Sequence, residues 1–418
     1  MADEIFNKFA SGIVRAEYRN YEPTSMLNLN APNKRTTFLI DINENFTTKD
    51  FQFHIAGEIK KTNDTSFAAK SNIQLVHNFV PHLFTYIEVK KHNKVLDDVD
   101  YPGHASTIKQ YVSYIKNDNY SAESSGLLSN FVGGGKFYAL GKLSDLGLGF
   151  FEDVNVPIFR GGFEINFSRN TDHDALYRFK TTKADGSADD TTLADEGKII
   201  ITKFQIRVPI VEFEDSIKIQ LLKSLDDLSQ NNAYKFEFKS WQCIQHKGVK
   251  GKTLNFDITN VYRNFRNPLF AMVAFQTDKL NDQREDTSEF DHMFVKNILI
   301  EVNGKRYPEE LTDLDFENKD CLIAYNMFGD YRRIFKGDSQ NFLSFQEFIN
   351  KKSIYVIDLT KQPQNLSDAK NKIVLHVDFS KTVNAPAASE GTTCYIVIVS
   401  YKCLYYDMIK NTIKEISS

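Results

Sequence analysis

Apolar residues along this chain mostly alternate with polar ones, the spacing of half-buried strands, and recur at helical spacing in only a few places. Residues 51–60 are typical: Phe51, Phe53 and Ile55 point one way and their polar neighbours the other. The same pattern predicts strands over 37–42, 73–89 with a break near Pro81-His82, 156–169 and 198–213. In the second half it predicts them over 234–245, 254–261, 269–277, 292–302, 353–360, 372–379 and 394–405. The clearest helical spacing is Ile217, Leu221, Leu222, Leu225 and Leu228, one apolar face behind a cap at Asp215 or Ser216. Short helices are predicted at 107–115 and 320–328.

The pattern also repeats. His77-Asn78-Phe79-Val80 with Ile87-Glu88-Val89 returns as His292-Met293-Phe294-Val295 with Ile300-Glu301-Val302, at shifts of 215 (77 to 292) and 213 residues (87 to 300). Asp100-Tyr101 then answers Asp315-Phe316, and Ile108 answers Ile323, at 215 again. A period near half of 418 residues is far longer than a solenoid repeat and implies two like domains in tandem. Many strands, with loops rich in Gly, Asn and Asp and few helices, favour a β-sandwich or jelly roll in each half over an α/β sheet.

The expected organisation is an N-terminal arm at 1–36, a first sandwich at 37–214, a connector helix at 215–232, a second sandwich at 233–406 and a C-terminal tail at 407–418. Matching Lys198-Ile199-Ile200 to Lys372-Ile373-Val374 gives a shift of only 174 (198 to 372), so the first half holds 41 more residues (215 less 174). The expected source is 117–150, read as a Gly-rich loop on the exposed end of the first domain.

Composition narrows the function. Lys+Arg 51 against Asp+Glu 55, well mixed, argues against a large surface for phosphate backbones and so against strong direct nucleic-acid binding. The arm's Lys8, Arg15, Arg19, Lys34 and Arg35 barely outnumber its acids and suit a solvated or partner-clasping tail. No run approaches a membrane span, and the acidic N-terminus lacks an apolar signal core, which implies cytosolic synthesis without secretion. Cys243, Cys321, Cys394 and Cys403 all lie in the second half without CxxC spacing, as expected of reduced core thiols.

Candidate chemistry is sparse. Gly133-Gly134-Gly135-Lys136 is followed by Phe137, not the Ser or Thr of a phosphate loop. His77 and His292 repeat, but His54 and His82 do not, and a repeated His at a strand edge reads as packing or hydrogen bonding. Asp97, Asp98 and Asp100 lack calcium-loop spacing and read as turn residues. No catalytic, cofactor-binding or metal-ligating residue is assigned, no cofactor is expected, and the expectation is not an enzyme. Two further readings are a carbohydrate-binding double β-sandwich, for which the single Trp241 in a predicted strand offers no aromatic platform, and a β-sandwich hydrolase.

The stretch Leu75-Val76-His77-Asn78-Phe79-Val80-Pro81-His82-Leu83-Phe84, then Ile87-Glu88-Val89, then 101–113 from Tyr101-Pro102-Gly103-His104 onward, resembles double jelly-roll major capsid proteins, especially those of polinton-like and adintovirus-like elements. Arg263-Asn264-Phe265-Arg266-Asn267-Pro268, Ala274-Phe275-Gln276-Thr277, Phe290-Asp291-His292, Arg306-Tyr307-Pro308 and Ser240-Trp241 extend the resemblance over roughly 35–405. The turn Lys90-Lys91-His92-Asn93-Lys94 departs from the family's usual Leu-Asn-Gly. The resemblance implies an all-β fold of two tandem jelly-roll β-sandwiches with a few short helices. It implies a virion protein of viral or virus-derived origin, whose homotrimers form pseudo-hexameric capsomers of an icosahedral shell around a DNA genome. Its implied partners are itself, penton proteins and minor capsid proteins, and it brings no catalytic residues.

Overall fold

The computed structural model describes residues 12–42, 47–68, 71–114, 119–127, 135–154, 162–182, 188–189, 193–230, 235–259, 268–337, 340–361, 372–384, 391–407 and 412–415. Eight principal strands build the first half: β1 (Ile13–Tyr21), β2 (Arg35–Ile40), β3 (Gln52–Lys61), β4 (Phe84–Lys91), β5 (Lys94–Asp100), β6 (Lys136–Lys142), β7 (Phe163–Arg169) and β8 (Gly197–Phe213). Eight more build the second: β9 (Lys235–Val249), β10 (Gly251–Asp257), β11 (Pro268–Thr277), β12 (Val295–Val302), β13 (Lys305–Tyr307), β14 (Ile354–Asp358), β15 (Ile373–Val383) and β16 (Thr392–Asp407).

The sheets run β1-β8-β3-β6 and β2-β7-β4-β5 in the first half, and β9-β16-β11-β14 and β10-β15-β12-β13 in the second. Adding eight to each label of the first pair gives the second. All these pairings are antiparallel. Each half is therefore a jelly roll, two sheets closed over one core, and the expected all-β double jelly roll is the observed fold.

The repeated sequence blocks fall on corresponding strands. Ile87 on β4 pairs with Val99 and Phe167, and Ile300 on β12 pairs with Tyr307 and Leu375. Both isoleucines are fully buried. Phenylalanines fill the first core: Phe38, Phe84, Phe167 and Phe204 meet at ring distances of 4.8–5.7 Å. Burying each such ring contributes about 1.5–3 kcal/mol, so alternation with bulky apolar residues is what closes the sandwich.

Several sequence expectations need correction. The 117–150 segment is not a loop: it carries a short helix (Asn119–Ser125), β6, and a second short helix (Phe150–Asp153). Phe137, Leu143, Leu146 and Phe150 are fully buried. Its glycines serve contact as well as turning. A Cβ on Gly141 would stand 2.6 Å from the Phe53 ring, and one on Gly149 would stand 1.6 Å from the Lys239 carbonyl oxygen. Gly133 and Gly134 lie outside the described residues.

The 41-residue excess also compared unlike strands. Lys198-Ile199-Ile200 lies on β8, the eighth strand of its sandwich, whereas Ile373 opens β15, the seventh. Connections that differ clearly in length are β7 to β8 (170–196) against β15 to β16 (384–391), and β1 to β2 (22–34) against β9 to β10 (residue 250 alone). The connections β5 to β6 and β13 to β14 are long in both halves and carry helices: α1 (Pro102–Ser113) in the first, and α3 (Leu322–Phe328), α4 (Asp330–Lys336) and α5 (Phe345–Lys351) in the second.

The ends differ from expectation as well. Residues 13–21, assigned to a tail, form edge strand β1 paired along β8, and Thr412–Glu415 pairs back on β16. The predicted connector is α2 (Asp215–Gln230), with Ile217 packed on the core and Ile219 exposed. Helix 107–115 begins earlier, at Pro102, because Pro at the first turn needs no hydrogen-bond partner and its fixed φ suits the helix. The predicted strand 73–89 divides into Ile73–Leu75, a helical turn at Phe79–His82 and β4. Residues 156–161 of the predicted strand 156–169 and residues 263–267 of the motif at 263–268 lie outside the described residues.

Candidate functional site at the junction of the sandwiches

The densest polar chemistry sits where the first sandwich meets the second, and α1 organises it. Tyr101, in the left-handed region at φ 48°, turns the chain from β5 into α1. Residues 102–112 of α1 are all buried. Gly103 is needed for contact, since a Cβ there would lie 2.4 Å from Nδ1 of His82. That close approach brings the His82 and His104 rings to 5.1 Å.

His104 reaches across the junction. Its ring stacks on Tyr395 of β16 at 3.8 Å and 10°, and its Nε2 lies 3.1 Å from Oε1 of Gln276 on β11. The amide of Gln276 donates to the carbonyls of Thr287 and Glu289, which fixes the side chain in place. Burial holds the His104 imidazole down at about 4, against a smaller pull upward from Asp174, and burial also lowers His82. Both rings are neutral near pH 7, where a general base with so low a pKa is a weak one.

The acidic run Asp97, Asp98 and Asp100 lies on β5, not in a turn. Asp97 is fully buried, accepting from the Phe150 amide at 3.0 Å and from Ser240 Oγ of β9 at 3.2 Å. Burial pushes its carboxyl up to about 6, while Lys402 pulls it the other way. Asp100 is also raised to about 6, by burial and then by Asp98.

Beside them, Lys109 of α1 sits 2.7 Å from Glu152 and 5.4 Å over the Trp241 ring. Burial opposes the charge on Glu152, yet Lys109, Lys336 and Lys239 together hold its carboxyl at about 2. Lys239 lies 2.7 Å from Asp153. At the other end Gln283 exchanges hydrogen bonds with Gly197 at 2.9 and 2.8 Å, and Asp174 accepts from the Asn281 amide at 3.2 Å. Removing one partner from a buried ionic pair of this kind costs about 3–5 kcal/mol. These groups join the sandwiches into one body.

A cleft of about 250 Å³ opens on this seam between His82, His104, Asn170, Asp174, Gln245 and Lys247. Most of its lining groups are already committed to the joint. His77 and His292 sit elsewhere, just before β4 and β12, and serve local roles: His77 Nδ1 lies 3.0 Å from the Leu127 carbonyl, and His292 Nδ1 accepts from the Phe294 amide and stacks on Phe316. His54 lies half-exposed on β3, and Lys136 opens β6. Among the described residues no group of three or more His, Cys, Asp or Glu is placed to hold a metal ion. The four cysteines are free, three of them buried.

Sequence reading missed His104, Asp97, Asp174, Gln276 and Gln283 as joint residues. The one available signal was that Asp100-Tyr101 and Asp315-Phe316 recur ahead of a helix in both halves. The sequence model of the family described as "Double jelly roll-like domain" matches residues 73–404. The chain belongs to the double jelly roll-like domain family.

Solved structures agree with this double jelly roll over nearly its whole length. It is similar to a chain of the Sputnik virophage structure (TM-score 0.59, 10% identity, covering 97% of this chain and 89% of that one). It is similar also to the mavirus major capsid protein (0.56, 13%, 96% and 90%) and to a chain of the PBCV-1 virus capsid (0.56, 10%, 93% and 94%). A search of curated protein sequences gives no match. No helix among the described residues is long and apolar enough to cross a membrane.

Proposed function

We propose that this chain is a major capsid protein, a structural building block and not an enzyme. The observation that carries the reading is the strand order, repeated eight for eight along the described residues. The family match and the likeness to virus capsid proteins over nearly the full length support it.

Two similar sandwiches per chain make six similar lobes when three chains surround a threefold axis. Such a homotrimer fits a site with six neighbours, so it tiles an icosahedral shell as a pseudo-hexameric capsomer around a DNA genome. Obligate interfaces of that type bury on the order of 2,000–5,000 Å². Its partners are further copies of itself, then penton and minor capsid proteins, and its place is the virion. Within the family we assign it to the polinton-like and adintovirus-like capsid proteins, on the motifs at 75–89 and 101–113.

The test is light scattering of the purified full chain, followed by negative-stain imaging. Trimers with a hexagonal outline, or shells, are expected. A strict monomer at micromolar concentration overturns the proposal.

A further inference from the structure

The two buried histidines of the joint, His82 and His104, are each held in one tautomer. Gln276 points its Nε2 at the carbonyls of Thr287 and Glu289, so its Oε1 accepts, and His104 Nε2–H is the donor at 3.1 Å. Thr107 Oγ1 donates to the Gly103 carbonyl at 2.7 Å, so toward His82 it accepts, and His82 Nε2–H is the donor at 3.4 Å. Nδ1 of each ring is then the atom that takes an added proton.

The surroundings admit the proton but do not suit the charge. Both rings border the cleft of about 250 Å³, yet His82 is 1% and His104 4% exposed. Protonating both sets two positive charges at a ring distance of 5.1 Å. The charged groups of the cleft wall are Asp174 and Lys247, one of each sign, and Asp174 already accepts from the Asn170 side chain and the Asn281 amide. Behind the wall Arg169 is paired with Asp172. Tyr101 and Tyr395, the other titratable neighbours, are pushed up by burial and stay neutral.

We infer that this end of the joint is an acid-opened latch: when the His82–His104 pair takes up protons, the first turn of α1 lets go of Tyr395 and Gln276, and segment 281–287 lifts from the first sandwich. Burial supports the direction, since it holds both imidazoles below their ordinary value, His104 at about 4. A group so depressed in the closed joint gains protons on opening, and acid therefore favours the open form from pH 6.5 down to about 4.

The other end of the joint answers acid differently. Asp97 and Asp100, held up at about 6, favour the closed form as pH falls, and Glu152, held at about 2, stays ionised beside Lys109. Asp97 also keeps its bond to Ser240 of β9. The opening is therefore confined to the histidine end, and the two sandwiches hinge without parting.

The test is hydrogen–deuterium exchange of the full-length protein at pH 7 and pH 5, each rate divided by the intrinsic rate at that pH. The reporters are amides bonded across the latch: Asn281 to Asp174, Gly197 to the Gln283 side chain and Arg178 to the Gln283 carbonyl. Their normalised exchange should rise at least about 20-fold from pH 7 to 5, the gain that the depression of His104 alone provides, while that of β3 stays level. The double variant His82→Gln/His104→Gln keeps both Nε2 donors, takes up no proton and should abolish the rise. Should it fail to fold, His104→Gln alone should lower the rise at least about 5-fold. No rise in the parent overturns the inference without any variant, and a rise that survives in the variants overturns it too. None of these readings depends on assembly, so the capsid reading stands or falls separately.

Discussion

Helices α1 and α3 occupy the same place in the strand order of their sandwiches, yet one is buried along its first eleven residues and the other shows two large aliphatic side chains to solvent. Locally α1 opens with Pro102 directly after β5, whereas α3 is a seven-residue helix that begins at Leu322, well after β13 ends at Tyr307. What buries α1 is the second sandwich packed over it, with His104, Lys109 and Tyr111 all engaged by that neighbour. Duplication has kept the sixteen-strand frame and let the connections diverge, and burial in those connections depends on which sandwich lies next door.

The largest expected effect comes from removing part of the frame. Deleting 121–147 takes out β6, which pairs along β3 from Glu58 to Gln52, and with it buried Phe137 and Leu143. Loss of a cooperative unfolding transition in denaturant is the expected result. A normal transition would mean that β6 is dispensable and that the first sandwich tolerates a gap the second does not have.

The sharpest comparison is the matched pair Ile108→Ala and Ile323→Ala. Truncating fully buried Ile108 should cost about 2–5 kcal/mol in chemical denaturation. Truncating exposed Ile323 should stay within about 0.5 kcal/mol, measured on the dissociated chain. Equal costs at the two positions would break the comparison.

Acid titration gives a smaller, signed effect. The His104 imidazole is depressed to about 4 in the folded chain from 6.5, so the stability it supports is present above pH 6.5 and is lost as pH falls toward 4. Asp97 works in the opposite sense: raised from 3.8 to about 6, it favours folding below pH 3.8 and loses that contribution as pH rises through 6. His104→Gln should therefore flatten the decline of stability between pH 6.5 and 4, and Asp97→Asn should steepen it. The pH dependence of the unfolding midpoint checks both, and unchanged profiles would show that neither group is held as the structure places it.

How much was legible in the chain follows from the range of the forces involved. The alternation that builds β3 or β12 is local, because side chains on a strand sort to two faces whatever lies beyond. The repeat was legible for the same reason. Strand β1 was not, since it is an edge held by backbone hydrogen bonds to β8 with most side chains exposed, and backbone pairing leaves little mark on side-chain pattern. Lys198-Ile199-Ile200 and Lys372-Ile373-Val374 look alike although they lie on unlike strands, because alternation states that a residue is half-buried and not which neighbour buries it. The glycines at 141 and 149 fell inside what reads as a Gly-rich loop because the Phe53 ring and the Lys239 carbonyl that crowd them are remote in sequence.

The sequence by itself determined two like all-β halves, since periodicity and repetition are properties of neighbouring residues and of the chain compared with itself. Only the tertiary structure decided that Asp97, His104 and Gln276 form a joint, and that Ile108 is core while Ile323 is surface. The physical reason is that burial is set by what packs on a side chain, and for α1 that is a sheet whose nearest strand begins more than a hundred residues away.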